Sequence, residues 1–541
     1  MKLAQFFEIL RSPHFSVSRA FLSAVLVALG FPPFGIWPLT WLGFAIFLFP
    51  LFSKVSQHPN LAKKKAFWYF LSYSFFVTCL GFYWLSFTLK EFGNMPWVVA
   101  IPVCAFIFFL FSILSGVFGI LWATLHANLG TKFLKAQPIL RDAILAFGVS
   151  YLWDTLDFRL FPWSPAQSIG VSEFMLPSVY YLDTWGWRVI FFASLSAMTA
   201  FYVHSSRSKF FKHSVFALLL VTVFAVGSGL GIHAKNTLKK DYSEEQPVVL
   251  LQGNVGNYEK KLTKLGVMPT VRNVMSIHRS LIFEMMIKRH DLDTKHPDFK
   301  NAQSWVAWPE TSFPGFPLET NDLSAQLLDW VNMSQSLHFV GAYESAETLF
   351  AGKKIDLDYN ITAMFSPQVG STLGEVKHAR KQMRIPFGEF IPFDDYFPFL
   401  YEWLPAVNHF GKGDSNVPLP HPSQDGPVFL PIVCYEILYE SFVDAYVKSS
   451  QEKFPNRAML VINPANDSWY GPTSEPSQHS LLARWATTRH GLASLRATNT
   501  GLSQVIAPWG EVLSQGAQDE STLIFGILPV KLQMQIQMKK N

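Results

Sequence analysis

Cysteine is scarce: 541 residues hold three, Cys79, Cys104 and Cys434. No two stand at metal-ligand spacing, which argues against both a disulfide framework and a zinc site. Charge is thin as well, at 15% of residues with a net value of +5. The Lys and Arg of the first half sit in short loops between apolar runs, a pattern that reports membrane topology and not nucleic-acid binding. What is abundant is apolar. Half the chain is hydrophobic and Phe alone occurs 51 times, which favours a membrane protein.

The excess is confined to residues 1–234, whereas residues 235–541 have the mixed composition of a globular domain. With roughly 20 apolar residues needed per helical crossing, about seven crossings are expected, near 20–34, 36–53, 66–89, 97–127, 142–156, 189–204 and 214–234. Pro32 and Pro33 follow the first run where a small-residue cleavage site would stand, which argues against a removed signal peptide. Cations fall in alternate loops: Lys2, Arg11 and Arg19, then Lys54 and Lys63 to Lys65, then Lys132, Lys135 and Arg141, then Arg207, Lys209 and Lys212. Because cytoplasmic loops carry the Lys and Arg excess, residues 235–541 are expected outside the cytoplasm. The closing LQMQIQMKKN is too polar to insert, so the C-terminus is expected to stay with that outer domain.

In the outer domain, short β-branched or apolar runs begin at Pro247, Ser304, Leu337, Tyr359, Phe429, Ala458 and Ser503, and helical periodicity covers 270–290, 322–335 and 477–498. This alternation predicts an α/β sandwich. Three segments carry chemistry: Glu310 in WPETSFPG, Lys381 in RKQMRIPFGEFIP and Cys434 in IVCYEILYE. Taken singly they read as a loop acid, a surface cation and inert apolar filler. Together they supply what a nucleophilic thiol needs, a base for its proton and a cation that favours thiolate.

The chain resembles the nitrilase superfamily, whose Glu, Lys and Cys occur in this order, and within it the membrane-bound apolipoprotein N-acyltransferases. The motifs carrying the resemblance are ALGFPPFGIWPL, GFYWLSFTL, FPWSPAQSIG, QGNV, WPETSFPG, YNITAMFSP, IPFGEFIP, VCYEILYE, NPANDSWYG and RATNTGLSQVI, in order along nearly the whole chain. The resemblance implies a multi-pass α-helical membrane domain (1–234) joined to a periplasmic nitrilase-like αββα sandwich (235–541) in a bacterial inner membrane. It implies Glu310 as general base, Lys381 as the cation supporting thiolate and oxyanion, and Cys434 as nucleophile. Glu389 would be a second acid lining the pocket, and Tyr435 and Glu436 would shape it; for both Glu389 and Glu436 a role in fixing the Lys loop by hydrogen bonds stands beside a chemical one. Spacing before Pro386 selects Lys381, with Lys377 as competitor, and Lys260 and Lys261 occupy a stretch where relatives commonly differ. No cofactor or metal is implied. The partners would be a phospholipid acyl donor, a diacylglyceryl apolipoprotein acceptor and membrane lipid, with no nucleic acid.

Between Phe393 and Leu404 the chain is dense in aromatics, and Phe393, Phe397 and Trp403 are expected to form a lid that dips into lipid, with core packing as the alternative. Two competing functions remain at this point. One is a membrane-tethered amidase that passes the acyl group to water; the other is a receptor or transporter with a degenerate outer domain.

Overall fold

The computed structural model describes residues 15–52, 59–91, 93, 95–129, 137–157, 159, 161–242, 244–295, 302–367, 376–404 and 407–531. The chain divides into two compact units, Met1–Ala234 and Lys235–Asn541. Lys2, Arg11, Lys54, Lys132, Lys135 and the closing segment 532–541 lie outside the described residues.

The first unit is helical: α1 (Val17–Leu29), α2 (Trp37–Leu48), α3 (Pro59–Gly81), α4 (Leu85–Glu91), α5 (Trp97–Leu129), α6 (Pro138–Leu156), α7 (Val179–His204) and α8 (Lys209–Asp241), the last running on past the unit's end. Among the described residues three helices are long and apolar enough to cross a membrane, and α3 with α4, bent by 59°, gives a fourth if counted as one span. This count is lower than about seven for a physical reason. The 13 residues of α1 rise only about 20 Å at 1.5 Å each, short of a hydrocarbon core of about 30 Å, and α6 carries Arg141, Asp142 and Asp154. Lys63 to Lys65, expected in a loop, sit in the first turns of α3.

Within this unit the FPWSPAQSIG motif is held by charge. Asp154 accepts from Arg159 at 2.9 Å and from Ser164 at 2.7 Å, with the Arg188 guanidinium at 3.1 Å. Ser164 also caps the 3-10 turn Pro165–Val171, supplying the hydrogen bonds its first amides would otherwise lack.

The second unit is a four-layer sandwich of β1 (Glu244–Gln252), α9 (Asn257–Lys264), α10 (Met268–Lys295), β2 (Trp305–Ala307), α11 (Asp322–Ser334), β3 (Leu337–Phe350), β4 (Lys353–Phe365), β5 (Lys377–Arg380), α12 (Leu400–Trp403), β6 (Leu419–Pro420), β7 (Val428–Pro431), α13 (Glu440–Lys453), β8 (Met459–Ala465), α14 (Glu475–Arg489), β9 (Ala493–Thr498), β10 (Gln504–Ile506), β11 (Val512–Gln515) and β12 (Thr522–Val530). One six-stranded sheet has the order β12-β1-β2-β3-β4-β5 and the other β11-β10-β9-β8-β7-β6. Alternation along β1 explains the layers, because successive side chains face opposite ways. Val248 and Leu250 enter the core between the sheets with Phe339, Phe429 and Leu495. Val249 and Leu251 enter the core under α10 and α11 with Met285, Trp330 and Val331. Parallel pairs β1–β2–β3 and β7–β8–β9 form the centre of each sheet, so loops leaving their C-terminal ends gather on one rim.

One element differs from the sequence reading. The helical pattern over 477–498 stops at Arg489, and Ala493–Thr498 is a fully buried strand between β8 and β10. Gly491 at φ 60° turns the chain between them, a conformation glycine adopts without a Cβ clash.

Candidate active site

Glu310 follows β2 by a short turn. Trp308, two residues before it, is locked in place: its indole N–H donates to His338 Nδ1 at 3.1 Å and its ring stacks on His278 with centroids 4.8 Å apart. Burial pushes His278 down to about 4 and His338 to about 3, so both stay neutral and place no competing charge beside the site. The turn passes so close to β3 that a Cβ on Gly341 would lie 2.9 Å from Glu310 Cα, and Gly341 is needed for that approach.

Lys381 leaves the end of β5. Its backbone N–H donates to the Asn360 carbonyl at 2.8 Å, and its neighbour Arg380 forms a two-pronged pair with Glu344 at 2.8 and 2.7 Å. The Lys381 ammonium is buried between two carboxylates, 3.0 Å from Glu310 Oε1 and 2.6 Å from Glu389 Oε1. Burial alone would lower it, but Glu310 and Glu389 outweigh that and hold it well above its ordinary range. Asn360 Nδ2 donates to the same Glu310 Oε1 at 2.6 Å, and the other oxygen of Glu389 accepts from Ile385 N at 2.9 Å. Burial raises the Glu389 carboxyl against the pull of Lys381. Lys377, the alternative cation, is exposed at the far end of β5.

Cys434 opens a 3-10 turn, Cys434–Leu438, just beyond β7, and sits at φ 53°. A non-glycine residue in the left-handed region is strained and is found where the surrounding structure imposes it. Here the imposing group is Glu436. Its carboxylate accepts from Val433 N at 2.8 Å, Gln382 N at 2.5 Å and Met383 N at 2.9 Å. One acid thus ties the Cys434 turn to the Lys381 loop, which is the hydrogen-bonding role the sequence left open for it. Burial pushes Glu436 up to about 7 while those amides pull it down. Tyr435 is buried with its hydroxyl 2.7 Å from that of Tyr439.

Burial raises the Cys434 thiol well above its ordinary value, Glu310 raises it further, and Lys381 and the Asn466 backbone N–H lower it less. Lys381 pulls toward thiolate, as expected of the cation, but burial and Glu310 pull harder the other way. The balance favours the protonated thiol.

A network missed in the sequence supports the Cys434 turn from behind. Asn463 Nδ2 donates to the Ile432 carbonyl at 2.7 Å, and Arg496 joins Asn463 Oδ1 at 2.6 Å to Asp467 Oδ2 at 3.0 Å. His479 Nδ1 lies 3.0 Å from Asp467. Asp467, Glu475 and His479 could geometrically hold a cation, but the Arg496 guanidinium already sits on Asp467 and meets that charge. Asn360 and Asp467 were visible only as members of YNITAMFSP and NPANDSWYG; nothing in their spacing marked them out.

The expected lid residues stand at the surface. Phe393, Phe397 and Trp403 are 71%, 49% and 72% exposed, so core packing does not explain them. Beneath them Asp394 is buried and accepts from the Tyr401 hydroxyl at 2.7 Å, and Tyr401 stacks on His409.

Two facing six-stranded sheets with a Glu, a Lys and a Cys at their rim define a carbon–nitrogen hydrolase domain, and residues 299–534 match the family model described as Carbon-nitrogen hydrolase. Residues 23–172 match the model described as Apolipoprotein N-acyltransferase N-terminal domain. Proteins named apolipoprotein N-acyltransferase from Bdellovibrio bacteriovorus, Pseudomonas aeruginosa and Vibrio parahaemolyticus are 28%, 27% and 24% identical, covering 96%, 95% and 94% of this chain and 89%, 90% and 90% of theirs. A solved amidase from Nesterenkonia sp. is 15% identical, with a TM-score of 0.33 over 52% of this chain and 90% of its own. The chain belongs to the apolipoprotein N-acyltransferase family and is a membrane acyltransferase.

Proposed function

We propose that the chain N-acylates the α-amino group of an apolipoprotein's N-terminal diacylglyceryl-cysteine, using the sn-1 acyl group of a phospholipid and Cys434 as the carrier. The observation that carries this reading is the buried Lys381 ammonium bridging Glu310 and Glu389 at 3.0 and 2.6 Å beside a strained, buried thiol. In the first half-reaction Glu310 takes the thiol proton as sulfur bonds to the ester carbonyl carbon. The oxyanion is met by Lys381 and by the backbone N–H following Cys434, electrostatic support aimed at charge that develops only in the transition state. The ester C–O bond then breaks, the departing oxygen takes the proton from Glu310, and lysophospholipid leaves. In the second half-reaction the free amine attacks the thioester, gives its proton to Glu310, and the released thiolate is reprotonated.

Neither substrate can reach a site remote from the bilayer. At about 0.8 kcal/mol per methylene, a chain of about 16 carbons resists leaving lipid by roughly 12 kcal/mol. The alternation of cationic loops along residues 1–234 supports a bacterial inner-membrane protein with residues 235–541 in the periplasm. Mass spectrometry after incubation with phospholipid alone tests the proposal. The expected result is an acyl adduct on Cys434, lost in Cys434→Ser, slowed about 10²- to 10⁴-fold in Glu310→Gln, and discharged by a diacylglyceryl peptide. Free fatty acid released with no N-acylated peptide would identify an amidase-type hydrolase instead.

A further inference from the structure

Lys381 faces two carboxylates, Glu310 and Glu389, so the site is short of positive charge before Cys434 has given up a proton. A second ammonium stands at the same turn. Lys260 on α9 donates from Nζ to the backbone carbonyl of Glu310 at 2.9 Å. Its side chain is half-buried at the surface but densely surrounded by protein atoms at its tip. Burial pushes it down to about 8 against the attraction of Glu310 and Cys434. The other titratable ring near it, His278, is held neutral.

We propose that Lys260 is a second cation of the acyl-transfer site, a positioning residue that pins the Glu310 turn through its carbonyl and offsets the negative charge that moves from Glu310 to sulfur when Cys434 passes its proton. The assignment rests on the triad reading given above. With both carboxylates ionised, both lysines protonated and the thiol neutral, the cluster carries no net charge. Proton transfer from Cys434 to Glu310 leaves that sum unchanged. Removing the Lys260 charge makes the cluster negative throughout, and a buried site with that balance opposes a sulfur anion.

The test is the rate at which iodoacetamide alkylates Cys434 in the full-length protein in lipid nanodiscs at pH 7, read by mass spectrometry, with unfolding temperature measured alongside. Lys260→Gln can still donate a hydrogen bond but carries no charge; Lys260→Met keeps only the aliphatic stem and serves where the amide is not tolerated. Both are expected to slow alkylation about tenfold, the equivalent of one pKa unit on the thiol. Lys260→Arg is expected to stay within about twofold of wild type, since guanidinium keeps the charge. Rates for Gln and Met variants within about twofold of wild type overturn the proposal, as does an Arg variant as slow as the Gln one, because a shape or hydrogen-bond role would give those results. A wild-type chain that shows this Lys260 dependence yet takes no acyl group from phospholipid supports the assignment and overturns the acyltransferase mechanism instead.

Discussion

At the residue scale the mechanism we propose starts from a protonated thiol. Cys434 is buried and pushed up by burial and Glu310, so in the proposed mechanism its proton passes to Glu310 as sulfur attacks. Lys260, pushed down to about 8, places a pH limit on that step. Acylation of Cys434 should decline as pH rises through about 8, and in Lys260→Arg the decline should shift to higher pH; adduct formation measured from pH 6 to 10 checks this. Unfolding does not explain such a fall. An unfolded Lys titrates near 10.4, so between about 8 and 10.4 the unfolded chain binds more protons through this group than the folded one, and its contribution to stability rises with pH. Behind the thiol, Arg496 and Asp467 are both fully buried. Arg496→Met should lower stability by about 3 kcal/mol, because the buried Asp467 carboxylate loses its guanidinium partner and keeps only His479 at 3.0 Å, and chemical denaturation of the variant reads that loss. The triad types were legible because a Glu, a Lys and a Cys in that order have a shared chemistry. Lys260 and Asp467 were not, since a lysine in a helix and an aspartate after a strand have ordinary solvated uses, and only distance separates those uses from this one.

At the scale of elements, the ends of strands do the positioning. Glu310 follows β2, Lys381 follows β5 and Cys434 follows β7, and Glu436 locks the last two loops together. The runs from Pro247, Leu337, Tyr359 and Ala458 announced their strands because each is a short apolar stretch containing β-branched residues. β9 did not, because Ala493–Thr498 carries Ser494, Arg496 and Thr498 in place of an apolar run and follows α14 after only three residues. The aromatic arm between Phe393 and Leu404 is the opposite case, where composition was plain but role was not. Its exposed rings leave a contact with lipid as the use we propose for them. Replacing Phe397 and Trp403 together with Ser should weaken transfer from bilayer phospholipid at least about tenfold, given about 1.5–3 kcal/mol per large apolar side chain taken out of water. Stability should change by no more than about 0.5 kcal/mol, since surface positions contribute little to folding. Transfer rates from vesicles, compared with denaturation curves, check both halves; unchanged transfer would reject the lipid contact.

For the whole molecule, a family-wide chemistry on acyl chains demands that substrates remain in the bilayer while a water-compatible α/β sandwich handles their reacting ends. Sequence composition already separated an apolar part from a mixed one, because lipid and water select different side chains along long stretches. Beside the expectation of about seven crossings stand three helices long and apolar enough to cross a membrane among the described residues, or four with the bent pair, because hydropathy registers short apolar helices such as Val17–Leu29 as readily as long ones. Orientation rests on the cation pattern alone, and it can be tested without touching the site. Lys353 is exposed at the start of β4, on a strand that ends far along the sheet from its tip. Lys353→Cys should react with a membrane-impermeant maleimide in intact spheroplasts, whereas the native chain, whose Cys104 and Cys434 are buried and whose Cys79 is partly so, should react little. Labelling of Lys353→Cys only after the membrane is permeabilised would place residues 235–541 in the cytoplasm. The acyl donor would then have to come from the inner leaflet, where the positive-inside pattern would have failed to predict the fold's direction.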